Sequence, residues 1–364
     1  MTSTTEPETP GTSRHDTLTT RFNAMSRPAR MIVALLIAVA AGYLASLAHI
    51  PLPWLLGSLT ACAVIALSGF DLGVHDYVRR GGQIAAGFSV GVFFTPEVQE
   101  RVLDLGWLMV VGGVCSIIAS VFISMLFARV SGCDRTSSFF AMIPGGLAEM
   151  AGLAHQFGAN ITVVALSQSL RIVTIVFTLP PALTLIMRHS DIDAIHPPAM
   201  ETMWVVIGLV LATACAFGAA RLKIFNPWLI GGLIVGIGFG ATSVEAMSAP
   251  TYVRVLAQLA IGAALGARFK WDVLRALGVR FLPISICATL LLICVNVFIA
   301  WMMSSHLPFA TGVLATAPGG IAEMSLTAEA LNLAPPLVTA WQLVRILLVA
   351  LLTGPLFKLF QRMT

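Results

Sequence analysis

The residues best able to do chemistry in this chain occur twice. Pro144-Gly145-Gly146-Leu147-Ala148-Glu149-Met150 returns 174 residues later as Pro318-Gly319-Gly320-Ile321-Ala322-Glu323-Met324. In each copy a carboxylate, Glu149 or Glu323, lies five residues past its proline in apolar surroundings. Holding a charge at membrane depth costs about 2.5 kcal/mol or more, so an ionisable residue there points to function. A buried carboxyl that takes up and releases a proton would suit coupling to H⁺. Gln168 and Arg171 recur at the same offset as Gln342 and Arg345. Each pair is three residues apart and therefore shares one helical face. An arginine can grip a carboxylate or phosphonate through two parallel hydrogen bonds. It can equally serve as the ion-pair partner of the nearby glutamate, and both readings stand at this point.

Proline lacks a donor N–H and glycine is conformationally permissive, so Pro-Gly-Gly interrupts a helix. An interruption at membrane depth survives only where protein or a water-filled cavity surrounds it. The N–H groups that begin the half-helix after the tip can hold an anion. The carbonyls before the tip can hold Na⁺. The plainer reading, a tight loop between ordinary helices, fits one copy better than two in the same register.

The elements that must position these residues follow from composition. Of 364 residues, 57% are hydrophobic and 10% charged, with a mean hydropathy of +0.90. Soluble domains carry about 25% charged residues, so this chain cannot build a water-facing surface. Its apolar runs, such as 106–128 and 281–303, reach the ~20 residues a spanning helix needs. Transmembrane strands would alternate instead. The fold class is all-α polytopic membrane protein. The net charge of +4 does not indicate nucleic acid, because the basic residues sit in short loops and report topology.

The repeat extends well beyond the Pro-Gly-Gly elements. Pro53-Trp54-Leu55-Leu56-Gly57 matches Pro227-Trp228-Leu229-Ile230-Gly231, and Pro181 matches Pro355. At an offset of 175, Tyr77, Val78, Arg79, Gln83, Gly87 and Gly91 match Tyr252, Val253, Arg254, Gln258, Gly262 and Gly266. Each half reads as six hydrophobic pieces: 31–48, 54–70, 81–95, 106–128, 137–158 and 161–187, then 203–219, 228–244, 256–268, 281–303, 310–331 and 336–357. The domain division is a disordered cytoplasmic tail over 1–28, a first repeat over 29–190 and a second over 199–364. Spaced glycines in the third pieces read as close helix packing, with Gln83 and Gln258 available to line a path.

Lys and Arg bias the cytoplasmic loops, and equivalent loops carry opposite bias. The loop 96–105 holds Glu97, Glu100 and Asp104 with one arginine, whereas its counterpart holds Arg268, Lys270, Arg275 and Arg280. Arg129 and Arg135 are replaced by Ser304-Ser305-His306. The halves therefore read as inverted repeats. Inversion needs an odd number of crossings: about five spanning helices plus one re-entrant or broken hairpin each, with both termini cytoplasmic. Arg188 and Arg254 fall on the wrong side of that count. A parallel arrangement of six crossings per half is the rival.

Six cysteines lack any CxxC or Cys/His spacing and read as structural. Seven scattered histidines form no metal-site grouping, and no GxxxxGK[ST] loop provides for ATP. No catalytic residues, cofactors or metals are expected; Na⁺ or H⁺ enters only as a coupling ion.

The doubled PGG[LI]AEM, the PW[LI][LI]G element and the Q-x-x-R face resemble the bacterial inner-membrane AbrB-duplication family, over nearly the whole chain after residue 28. That family carries labels of transcriptional regulator and ammonia monooxygenase, and the resemblance brings no assigned substrate. The expected function is an ion-coupled secondary transporter or exporter of a small anionic or polar metabolite in the bacterial cytoplasmic membrane. Inverted repeats with interrupted segments in corresponding positions support it. The alternatives are a membrane sensor or regulator affecting gene expression and, further off, a membrane-bound monooxygenase. The expected partners are the bilayer and a small-molecule substrate, not nucleic acid. The glycine content permits a homodimer without requiring one.

Overall fold

The computed structural model describes residues 14–187, 198–242, 247–278 and 280–363; the side chains of 14–18, 147–149 and 362–363 lie outside it. The chain is all-α. The first repeat comprises α2 (Arg27–Leu47), α3 (Pro53–Leu67), α4 (Asp76–Gly91), α5 (Pro96–Asp104), α6 (Gly106–Ser131), α7 (Arg135–Met142), α8 (Leu147–Gln156) and α9 (Ile161–Met187), preceded by α1 (Arg14–Asn23). The second comprises α10 (Thr202–Arg221), α11 (Pro227–Thr242), α12 (Thr251–Gly266), α13 (Trp271–Leu277), α14 (Phe281–Met302), α15 (Phe309–Thr316), α16 (Ile321–Ala330) and α17 (Pro335–Met363).

Among the described residues six helices, α2, α6, α9, α10, α14 and α17, are long and apolar enough to cross a bilayer. The four helices α3, α4, α11 and α12 have only 15 or 16 residues, about 23 Å at 1.5 Å per residue. Where five crossings are expected, each half thus has three long helices and two short ones. α4 also begins at Asp76, five residues before the apolar piece that announced it, and so draws Arg79 and Arg80 into its first turns. A helix surrounded by protein need not be apolar along its whole length, and nine residues of α4 are buried.

The Pro-Gly-Gly segments form pairs of short helices, as a re-entrant or broken hairpin requires. α7 and α8 have 8 and 10 residues, as do α15 and α16, about 12–15 Å each and too short to cross alone. The Asn160 N–H, beyond the end of α8, donates to Ser137 Oγ at the start of α7 at 2.7 Å. Phe140 and Phe157 stack with centroids 5.7 Å apart. The two ends of this hairpin thus lie together. Asp134 caps α7 by accepting from the Ser137 N–H at 2.8 Å.

The tail expected over 1–28 is not without structure. Residues 14–23 form α1, because Asn23 anchors its end to the α3–α4 connection. Asn23 Nδ2 donates to Gly69 O at 3.2 Å, and the Asp71 N–H donates to Asn23 Oδ1 at 2.8 Å.

Packing does not follow the two halves of the chain. α2, α3 and α4 form one body with α10, α11 and α12, whereas α6 to α9 form another with α14 to α17. Glycines explain the first body. A methyl group built on Gly87 of α4 would fall 2.2 Å from Leu229 O of α11, and one on Gly266 of α12 would fall 2.5 Å from Leu59 O of α3. Each third piece therefore lies backbone to backbone against the second piece of the other repeat. The two bodies meet chiefly where α16 and α17 touch α4, with α12 also against α16.

Candidate functional site

The duplicated residues converge on one cavity of about 340 Å³ between the two bodies. From the hairpin body it takes Gly145, Gly146, Gly319, Gly320 and Glu323, with Arg171 of α9 and Arg345 of α17. From the other body it takes Asp76, Arg79, Arg80 and Gln83 of α4, Asn226 and Trp228 at the start of α11, and Arg268 just past α12. Five arginines and two carboxylates thus stand among the described lining residues, a formal excess of three positive charges.

The hairpin tips owe their glycines to space rather than to left-handed backbone. Gly146 and Gly320 are extended, at φ −68° and −77°, and cap the half-helices α8 and α16. A methyl group on Gly145 would fall 2.6 Å from Met150 Cε, and one on Gly319 would fall 3.0 Å from Met324 Cγ. The methionine ending each motif is buried and folds back over its own tip.

The Q-x-x-R faces do the same work in both repeats. Arg171 donates through Nη1 to Ile143 O at 3.1 Å and Met142 O at 3.4 Å, and through Nη2 to Gly145 O at 3.5 Å. Arg345 donates through Nη1 to Ala317 O and to Thr316 O at 3.4 Å, and through Nη2 to Gly319 O at 3.0 Å. Each arginine also donates to the glutamine of its own face, Gln168 or Gln342. Gln168 Nε2 reaches Phe140 O and Ile143 O at 2.9 and 3.0 Å. Gln342 Nε2 reaches Leu314 O, Ala315 O and Ala317 O at 3.0, 3.2 and 3.0 Å. The last turn of α7 and of α15 leaves carbonyls without intrahelical partners, and these side chains satisfy them.

This arrangement adds a backbone role to the two sequence readings of the arginines. Among the described residues neither Arg171 nor Arg345 pairs with a glutamate, and their Nη atoms are committed to backbone. Each keeps a buried Nε–H with no partner, and both line the cavity.

Glu323 is the third residue of α16 and is buried. Its carboxylate folds back over the tip: a methyl group on Gly320 would fall 2.0 Å from Glu323 Oε2. A carboxylate in the first turn of a helix is favoured by the macrodipole. Glu323 therefore occupies the position where an arriving anion would find the α16 N-terminus. Glu149 holds the equivalent place in α8; its side chain lies outside the described residues. Pro144 and Pro318 are both buried and set the turn of each tip.

The sequence treated Arg79, Arg80 and Arg268 as loop residues that report topology, and here it missed cavity residues. Arg268 interacts electrostatically with Arg79, Asp76 and Glu323, and Arg80 lies over the Trp228 ring at 4.8 Å. Trp228 is thus a cavity wall. Gln83 lines the cavity, whereas Gln258 is buried away from it. One signal was available: Arg79 and Arg254 match in register, which loop charge alone does not require. Among the described residues no group of three or more His, Cys, Asp or Glu side chains is placed to hold a metal.

A doubled helical scaffold with two hairpin tips facing one basic cavity defines a multi-pass membrane protein of duplicated architecture. Residues 54–361 match the family described as "Transition state regulatory protein AbrB", and the chain belongs to that family. It is 27% identical over 356 residues to "Uncharacterized protein YhjN" of Bacillus subtilis (strain 168), covering 90% of this chain and 92% of that one. It is 25% identical over 340 residues to "Putative regulator AbrB" of Escherichia coli (strain K12), covering 91% and 95%.

Proposed function

We propose that this protein is a proton-coupled secondary transporter of a small, multiply charged anion in the bacterial cytoplasmic membrane. The observation that carries the reading is the cavity: two half-helix N-termini and an excess of arginine, enclosed between two separately packed bodies. Half-helix N-termini aimed at a substrate are a recurring device of transporters built on inverted repeats. A single negative charge would leave most of the arginine excess uncompensated, so di- and trianions fit better. The cavity mouth carries Asp76, Arg79, Arg80, Asn226 and Arg268, the end that the excess of Lys and Arg assigns to the cytoplasm. Both termini belong on that side under the same count.

The carbonyls considered for Na⁺ are occupied. In the second hairpin Leu314, Ala315, Thr316, Ala317 and Gly319 all accept from Gln342 or Arg345. A proton is the better coupling ion, with Glu323 as its carrier. Protonated Glu323 would release the α16 N-terminus to the substrate, and ionised Glu323 would reclaim it. The regulator names of the family and of its relative leave a sensor that binds the same ligand without moving it as the second reading.

The test is thermal stabilisation of the purified protein in detergent, comparing mono-, di- and tricarboxylates and phosphate esters across pH. A bound ligand stabilises by RT ln(1 + [L]/Kd). Multiply charged anions should raise the melting temperature, and Arg268→Gln should weaken the best of them about tenfold or more, as expected for one lost charge-assisted contact. Glu323→Gln should keep binding but lose its pH dependence. Counterflow in proteoliposomes then separates transporter from sensor. Stabilisation by cations alone, or equal stabilisation of wild type and Arg268→Gln, would sink the anion reading.

A further inference from the structure

Three helices that line the cavity at one end meet again at the other. Ser89 lies 13 residues along α4 from Asp76, about 20 Å. Arg254 lies 14 residues before Arg268, about 20 Å, and Glu329 lies six residues past Glu323, as Ser89 does past Gln83, about 9 Å beyond the cavity lining. At these far ends Ser89 Oγ donates to Glu329 Oε1 at 2.7 Å, and Arg254 Nε stands 3.7 Å from the same oxygen. The glutamate side chain is 2% exposed and the arginine 31%, so of the two only the arginine reaches the molecular surface. Ser89 and Arg254 belong to one body and Glu329 to the other.

Resting on the transport reading above, we propose that Ser89, Arg254 and Glu329 form the gate that closes the cavity away from its open mouth. Transport requires that the two bodies separate at this point. The inverted repeat supports the assignment. Arg254 corresponds to Arg79, and Glu329 to His155. On the open side Arg79 lines the cavity and His155 is exposed. On the far side the equivalent pair is joined. A carboxylate facing an arginine attracts, and this contact holds the far gate shut.

Gln258 of α12 is buried one turn from Arg254 toward the cavity, and reports on the gate without any substrate. Gln258→Cys would be placed in a protein whose six native cysteines are replaced by alanine, and labelled from each face of oriented membrane vesicles with a membrane-impermeant maleimide. With the gate intact, labelling from the far face should be slow. Arg254→Gln and Glu329→Gln should each speed it about tenfold, the scale of one lost ion pair in a partly buried setting, while labelling from the mouth side falls or holds. Arg254→Glu should open the gate, and adding Glu329→Arg should close it again; this exchange keeps the test decisive if one neutral variant folds poorly. Unchanged far-face labelling in folded single variants, or an exchange that does not restore protection, overturns the gate. Anion binding is read separately, so a gate that fails while anions still bind leaves the transport reading standing. A gate that behaves as stated without any anion binding retires the transport reading instead.

Discussion

Replacing Arg345 with methionine should cost about 4–5 kcal/mol or more of stability, on the scale that breaking a buried hydrogen-bond network gives. Three backbone carbonyls and the Gln342 side chain accept from this guanidinium. Bonds from charged donors contribute about 1.5–3 kcal/mol each, and the stranded carbonyls add their own desolvation cost. Methionine keeps the length and apolar stem, so the loss reads the hydrogen bonds rather than a cavity. Lysine should recover little, because a single ammonium cannot span carbonyls that a planar fork reaches together. Arg171→Met should cost less. Its bond to the tip carbonyl is 3.5 Å, against 3.0 Å for Arg345. Thermal unfolding of the purified variants in detergent, with gel filtration to confirm a single species, provides the measurement. Wild-type melting for Arg345→Met would show that the half-helix ends are satisfied in some other way.

Gly87→Val should prevent the protein from being recovered as a monodisperse species. Its first side-chain atom would fall 2.2 Å from Leu229 O and 2.9 Å from Leu233 N. Both are backbone atoms of α11, which cannot swing aside as a side chain can. Overpacking in a core typically costs about 1–3 kcal/mol when side chains can adjust; here the two helices themselves must part. The mirror substitution Gly232→Val meets Ile84 O at 2.3 Å and should fail in the same way. Gly81 lies in the same helix with nothing within 4 Å of an added Cβ. Gly81→Ala should therefore be neutral or stabilise by up to about 1 kcal/mol, the difference in helix propensity. Expression yield and melting temperature across these three variants separate backbone contact from a general intolerance of glycine replacement.

Each of these effects was partly visible in the sequence. Duplication was legible because Pro-Gly-Gly-x-Ala-Glu-Met and Gln-x-x-Arg are rare strings whose recurrence needs no structural context. Membrane class was legible because hydrophobic length and low charge are sums along the chain. The spacing of Gly87 and Gly91 announced a close contact without naming its partner. Helix boundaries were less secure. α4 starts five residues early because its polar first turns face a protein cavity rather than lipid, and no local pattern distinguishes the two.

By itself the sequence determined that this is a doubled, all-helical membrane protein with an interrupted segment and a Q-x-x-R face in each half. Those are properties of residue type and order. Only the tertiary structure decided that each third piece packs against the other repeat, so that the bodies cut across the halves. It also decided that the duplicated arginines secure helix ends while Arg79, Arg80 and Arg268 furnish the cavity. The physical reason is the same for both. What a glycine touches and which carbonyl an arginine reaches are facts about residues tens to hundreds of positions away, and one-dimensional spacing carries no record of them.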